Sequence, residues 1–120
     1  MKAIIYHNPR CSKSRQTLDL LQARGIETDA VEYLKTPLNA AAVHRLLQQL
    51  GLPARDVLRR GEAAFADLGL AGRLDDDAAV IAALVAHPAL LERPIVVVGE
   101  RAALGRPPEN ILRLLTDTPA

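Results

Sequence analysis

The first 34 residues constrain the fold more than any other stretch, because two apolar runs enclose a segment of helical period. KAIIYHN, residues 2–8, is apolar almost throughout before it turns polar, as a short strand covered on both faces should be. SKSRQTLDLLQARG follows, with Leu18, Leu21 and, less strongly, Thr17 at helical spacing and Gly25 as a stop. ETDAVEYL then reads as a second strand, parallel to the first across a right-handed crossover. A βαβ start of this kind implies an α/β fold and puts residue 11, a cysteine, at the strand-to-helix junction.

The middle of the chain keeps the sheet small. After Thr36-Pro37, Asn39 is placed to cap a helix AAAVHRLLQQLG with Val43, Leu46, Leu47 and Leu50 on one face and Gly51 at its end. PARDVLRRG suggests a short helix with Pro53 in its first turn, and EAAFADLGLAG another turn or two. Asp75 is the expected cap of DAAVIAALVAHP, apolar at Val80, Ile81, Leu84 and Val85. This block, about residues 38–90, has no strand pattern and reads as a helical insertion. β structure returns in PIVVVG, with RAALG as its hairpin partner across Gly99-Glu100, and PPENILRLL closes the chain as a helix. The order βαβ, helices, ββα is that of a thioredoxin-like (glutaredoxin-like) mixed sheet with a helical insertion between its halves, all within one domain, residues 1–120; the analogy is at the level of fold.

Composition narrows the function. Nearly half of the 120 residues (49%) are apolar, enough for a core without disulfides or a structural metal. The net charge of +1 gives no broad field for nucleic acid or an anionic membrane. No signal-like segment follows Lys2, and no apolar run nears the roughly 20 residues a bilayer crossing needs. One cysteine cannot form an internal disulfide, so a reducing compartment, the cytoplasm, is expected. His44 and His87 show no metal-ligand spacing with each other or with Cys11, and the run Asp75, Asp76 and Asp77 reads as an acidic helix start rather than a metal site.

The chemistry lies in HNPRCSKSR, His7 to Arg15. The thiolate is the reactive form of cysteine, and a free thiol has a pKa of about 8.5. A helix start lowers that value through its unpaired N–H groups and its dipole. Arg10, Lys13 and Arg15 add cationic charge, Ser12 and Ser14 offer hydroxyl donors, and His7 stands close enough in sequence to orient or ionise the sulfur. The same groups would cradle a tetrahedral oxyanion, so nucleophile and anion site coincide. Position 14 is Ser14, where thioredoxin-type proteins often carry the second cysteine of C-x-x-C. An oxidised Cys11 then needs an external thiol such as glutathione to resolve it.

At HNPRCSKSR the sequence resembles the ArsC family, glutaredoxin-coupled arsenate reductases of thioredoxin-like fold. YLKTP (Tyr33 to Pro37), ERPIVV (Glu92 to Val97) and GRPPE (Gly105 to Glu109) are similar to later family signatures in the same order. The resemblance implies that Cys11 attacks arsenate to form a covalent adduct. It implies Arg59 in DVLRRG (with its neighbour Arg60 as the alternative), Arg93 and Arg106 as oxyanion ligands, because guanidinium stays charged and donates in pairs. Ser12, Lys13, Ser14 and Arg15 would complete substrate binding, and His7, Asn8 and Pro94, the last at the family's cis-proline position, would support it. Glutathione enters as a co-substrate, with no bound cofactor, and glutaredoxin as the reducing partner. Two other readings belong to the same fold class: a Spx-type regulator that binds RNA polymerase, for which C-x-x-C is typical and Ser14 is unfavourable, and an oxidoreductase of glutathione mixed disulfides.

Overall fold

In the computed structural model of the chain, residues 2–115 are described. They form two compact units, one from residues 2–33 with 93–115, the other from Leu34–Glu92.

The first unit is built on a four-stranded mixed sheet in the order β2-β1-β3-β4. β1 (Lys2–Tyr6) pairs in parallel with β2 (Glu27–Val31), Tyr6 opposite Val31, and antiparallel with β3 (Ile95–Val98), Tyr6 opposite Ile95. β4 (Arg101–Leu104) returns antiparallel along β3 after Gly99, whose φ of +62° suits the turn. Alternation along β1 sends Ala3 and Ile5 into a sealed core with Leu21, Val96, Ala103, Ile111 and Leu114. The opposite face, Ile4 and Tyr6, is only half-buried, so the strand is sealed on one side rather than both. β2 is an edge strand with Glu27, Asp29 and Ala30 exposed, and it stops at Val31, short of the expected YL. Its acids, one of them paired with Lys2 at 3.2 Å, suit an edge that must not recruit another strand.

α1 (Ser12–Ala23) buries Ser14, Thr17 and Leu21, while Leu18 is half-buried. The inward stripe thus begins with two hydroxyl residues that an apolar count passes over. The helix ends in a Schellman arrangement: Ile26 N–H donates to Leu21 O and Gly25 N–H to Gln22 O, with Gly25 at φ +70°. PPENILRLL forms a 3₁₀ helix, Pro108–Leu114, rather than an α-helix. Its buried residues Pro108, Ile111 and Leu114 recur every three positions, the period of a 3₁₀ turn.

The second unit is helical. α2 (Ala40–Leu50) is capped by Asn39, whose Oδ1 accepts from Ala42 N–H at 2.8 Å, and ends at Gly51 with φ +69°. Val43, Leu46 and Leu50 are buried and Leu47 is half-buried. EAAFADLGLAG divides into α3 (Ala63–Asp67) and a 3₁₀ turn, Leu70–Gly72. α4 (Asp77–Ala86) buries Val80, Ile81, Ala83 and Leu84 and packs on α2. Its cap is Asp76, accepting from Ala79 N–H at 3.1 Å; the expected cap, Asp75, instead pairs with Arg55 at 3.0 Å. Three consecutive aspartates offer the same chemistry, and backbone register selects between them. Pro53 stands at the cap of a 3₁₀ turn, Ala54–Val57, not inside its first turn. Beyond that turn Leu58 bridges to Leu91, Glu92 N–H donates to Val57 O (2.8 Å) and Arg59 N–H to Leu90 O (2.7 Å).

Candidate active site

Cys11 occupies the cap position of α1, with φ −95° and ψ 123°, and is partly exposed. Its own N–H donates to Asn8 O at 2.9 Å, and its carbonyl accepts from Arg15 N–H at 3.0 Å, which fixes the residue at the head of the first turn. Burial alone would raise the pKa of the thiol. Hydrogen bonds from the backbone N–H groups of Ser14 and Lys13, with the hydrogen bond and charge of Arg93, outweigh burial and lower it. Arg106 adds an Nη2 donor 3.9 Å from the sulfur, and its Nε donates to Arg93 O at 2.8 Å. The Cys11 and Tyr33 side chains in turn act on Arg93 and together hold its pKa above the ordinary value despite its burial. Two guanidinium groups therefore converge on one thiolate.

The loop geometry explains why they converge. Register sets the end of β1 beside the start of β3, so Arg93 and Pro94 stand near His7 at the same end of the sheet. The Arg93-Pro94 and Arg106-Pro107 bonds are both cis, and Pro94 is fully buried. Gly105 N–H donates to Pro94 O at 2.9 Å. A side chain at Gly105 would place its Cβ 2.6 Å from Thr17 Oγ1 and 2.7 Å from Pro94 Cγ. Only glycine lets the end of β4 approach α1 and Pro94 this closely, and the next residue is Arg106.

Beside the sulfur lies a buried polar network. Ser14 Oγ accepts from Asn8 N–H at 3.0 Å and lies 2.6 Å from His7 Nδ1. A serine hydroxyl has one donor and two acceptor sites, so this oxygen serves both the Asn8 N–H and the imidazole. Burial lowers the His7 pKa, Glu32 opposes that change and Arg15 adds to it; the net shift is downward. Asn8, also buried, accepts from Arg10 N–H through Oδ1 at 3.0 Å.

Several expected roles change accordingly. The Ser14 side chain is buried in the loop, its hydroxyl engaged by His7 and Asn8, while its backbone N–H lowers the Cys11 pKa. Lys13 likewise acts through its backbone N–H, while its side chain and that of Ser12 are exposed. Arg15 Nη1 donates to Pro9 O at 2.9 Å, fastening the loop rather than facing the sulfur. Arg59 lies in the second unit, with Nε 3.3 Å from Glu62 Oε1 and Nη1 3.9 Å from Glu92 Oε2. Arg60 is exposed and lines an open groove with Arg55, Arg73, Asp75 and Asp76. Sequence reasoning missed Gly105 and Tyr33 as working positions; the signal for Tyr33 was a polar-tipped aromatic, one of two tyrosines in the chain, within the run read as the second strand. Among the described residues no group of three or more His, Cys, Asp or Glu could hold a metal ion, and no helix is long and apolar enough to cross a membrane.

Comparison with known proteins places this geometry. The chain is similar to an arsenate reductase of Neisseria meningitidis serogroup B, 46% identical over 112 residues, covering 92% of this chain and 96% of the relative. It is 48% identical over 112 residues to the uncharacterized protein YfgD of Escherichia coli K12, covering 92% and 94%. An arsenate reductase structure from Vibrio cholerae superposes with a TM-score of 0.91 at 46% identity, covering 94% of this chain and 97% of that one, and shares the thioredoxin-like fold. The ArsC family profile matches residues 6–114, which hold Cys11, Arg93 and Arg106, and the chain belongs to the ArsC family.

Proposed function

We propose that this protein is an arsenate reductase whose nucleophile is Cys11. The observation that carries the reading is a single partly exposed sulfur at the start of α1 with the Arg106 Nη2 donor 3.9 Å away, in a chain of the ArsC family. The groups that hold a thiolate also suit an arsenate oxygen. Guanidinium pairs bind tetrahedral oxyanions through parallel N–H donors and stabilise charge that grows during attack. The Cys11 thiolate attacks arsenic, an S–As bond forms, and one arsenic oxygen leaves as water after protonation.

The single cysteine in 120 residues supports a cycle completed by external thiols. No second thiol of this chain can resolve the adduct, so the thiolate of glutathione attacks the Cys11 sulfur. The S–S bond forms as the S–As bond breaks, and the electron pair stays on arsenic, which departs as arsenite. Arsenic gains two electrons and the two sulfurs lose them. Glutaredoxin then attacks the glutathione sulfur of the mixed disulfide and returns Cys11 as thiolate.

Arsenite formed from arsenate, glutathione and glutaredoxin tests the proposal. Wild-type protein should release arsenite, and Cys11→Ser should fall to the rate without protein. Equal rates for the two proteins would end it.

A further inference from the structure

Arg106 reaches Cys11 from a short loop that a side chain closes. The loop runs from Leu104, the last residue of β4, to Asn110 in the 3₁₀ helix Pro108–Leu114. Asn110 Nδ2 donates to Leu104 O at 2.9 Å across six residues, and Asn110 N–H donates to Pro107 O at 2.9 Å. Arg106 lies between these ends. Asn110 is exposed, so its side chain fills no part of the core.

The Leu104–Gly105 peptide group, just before Arg106, is thereby held at both of its polar atoms. Its carbonyl accepts from Asn110, and its N–H donates to Pro94 O at 2.9 Å. In a trans peptide these two atoms point in opposite directions, so the plane cannot tilt without stretching one of the bonds. Thr17 and Pro94 stand where a Cβ on Gly105 would be, which closes the side toward α1. Both are fully buried, whereas Asn110 can be truncated without opening a cavity in the core. Further out, Arg106 Nε donates to Arg93 O at 2.8 Å, and Nη2 stands 3.9 Å from the Cys11 sulfur. That last contact is long, so a small outward drift of the loop would end it.

We propose that Asn110 is a positioning residue: its carboxamide clamps the Leu104–Gly105 peptide and so holds the Arg106 guanidinium at the Cys11 sulfur. The consequence for arsenate rests on the arsenate reading; the charge placed at the sulfur does not.

The test compares alkylation of Cys11 by anionic iodoacetate and by neutral iodoacetamide, which needs neither arsenate nor a reducing partner. Both reagents consume the same thiolate, so the ratio of their rates reports positive charge at the sulfur rather than thiolate fraction. Four proteins are compared: wild type, Asn110→Ala, Arg106→Gln and the double variant. Arg106→Gln should lower the iodoacetate-to-iodoacetamide ratio about fivefold, the weight of one charge at about 4 Å in water. Asn110→Ala should lower it by about twofold or more in the wild-type background and not at all beside Arg106→Gln. A merely loosened fold changes both rates alike and leaves the ratio in place. An unmoved ratio, or equal drops in both backgrounds, would overturn the proposal. With arsenate, Asn110→Ala should cut kcat/KM by about two- to tenfold, the range of one neutral hydrogen bond. A lowered ratio with no arsenate turnover by the wild type would uphold the clamp and remove only the arsenate reading. If Asn110→Ala does not fold, Asn110→Ser, too short to reach Leu104 O, carries the same comparison.

Discussion

The two units of the molecule treat their arginines in opposite ways. In the sheet unit Arg106 points its donors at the Cys11 sulfur and at a backbone carbonyl, and Arg93 lies within the influence of Cys11. In the helical unit Arg55 is paired with Asp75, and Arg59 lies against Glu62 and Glu92. A guanidinium between two carboxylates is neutralised before a substrate arrives, whereas two guanidinium groups near one thiolate keep a net positive charge. The three arginines that the family resemblance groups together are therefore not equivalent in the resting protein.

The contrast can be broken by substitution. Arg93→Ala should cost about 100- to 1,000-fold in kcat/KM, the loss typical of removing one oxyanion donor, and should shift Cys11 alkylation to higher pH. Arg59→Ala should cost less, about tenfold, because the arginine must first leave its acids, and it should leave the Cys11 titration in place. Equal losses, measured as arsenite release, would show that acid pairing does not separate the two.

A smaller effect belongs to the glycine that brings Arg106 to the sulfur. Gly105→Ala should destabilise the fold by about 1–3 kcal/mol in urea unfolding, because Thr17 and Pro94 are packed side chains with little room to give. It should also weaken turnover by displacing Arg106. An alanine variant as stable as wild type would mean that the end of β4 shifts freely.

The polar network beside the loop gives a pH signature. His7 titrates lower in the folded chain than its ordinary value of 6.5, so the folded state favours the neutral ring. Its contribution to stability is complete above that value and is lost as pH falls toward the folded-state pKa. Stability should therefore drop on acidification below about 6.5, and His7→Gln should flatten that part of the curve. The helical unit supplies the smallest effect: Asn39→Ala removes one cap and should cost about 1 kcal/mol with no change in alkylation of Cys11.

What could be read beforehand divides along physical lines. Strands and helices announced by local pattern were legible: the run KAIIY, the hairpin around Gly99, the Asn39 cap and the stop at Gly25 all depend on neighbours within a few residues. The electropositive setting of Cys11 was legible for the same reason, since a helix start and its charges are local. Features decided by distant partners were not. The spacing of α1 showed Leu18 and Leu21, but the buried stripe includes Ser14, whose hydroxyl is satisfied by His7 and Asn8 across the loop. Asp75 and Asp76 are identical in kind, so only three-dimensional register separates cap from ion pair. Of the acids on Arg59, Glu92 lies 33 residues further along the chain and carried no sequence signal.

Two of the groups that lower the Cys11 pKa, the N–H groups of Lys13 and Ser14, are main chain. Mutation can delete an arginine, but no ordinary codon change deletes an amide from a helix start unless it introduces proline. Evolutionary drift in this scaffold can therefore strip away oxyanion recognition while leaving a nucleophilic sulfur intact. Descendants that take up a different electrophile would inherit their reactivity from the backbone and would need to invent only their selectivity.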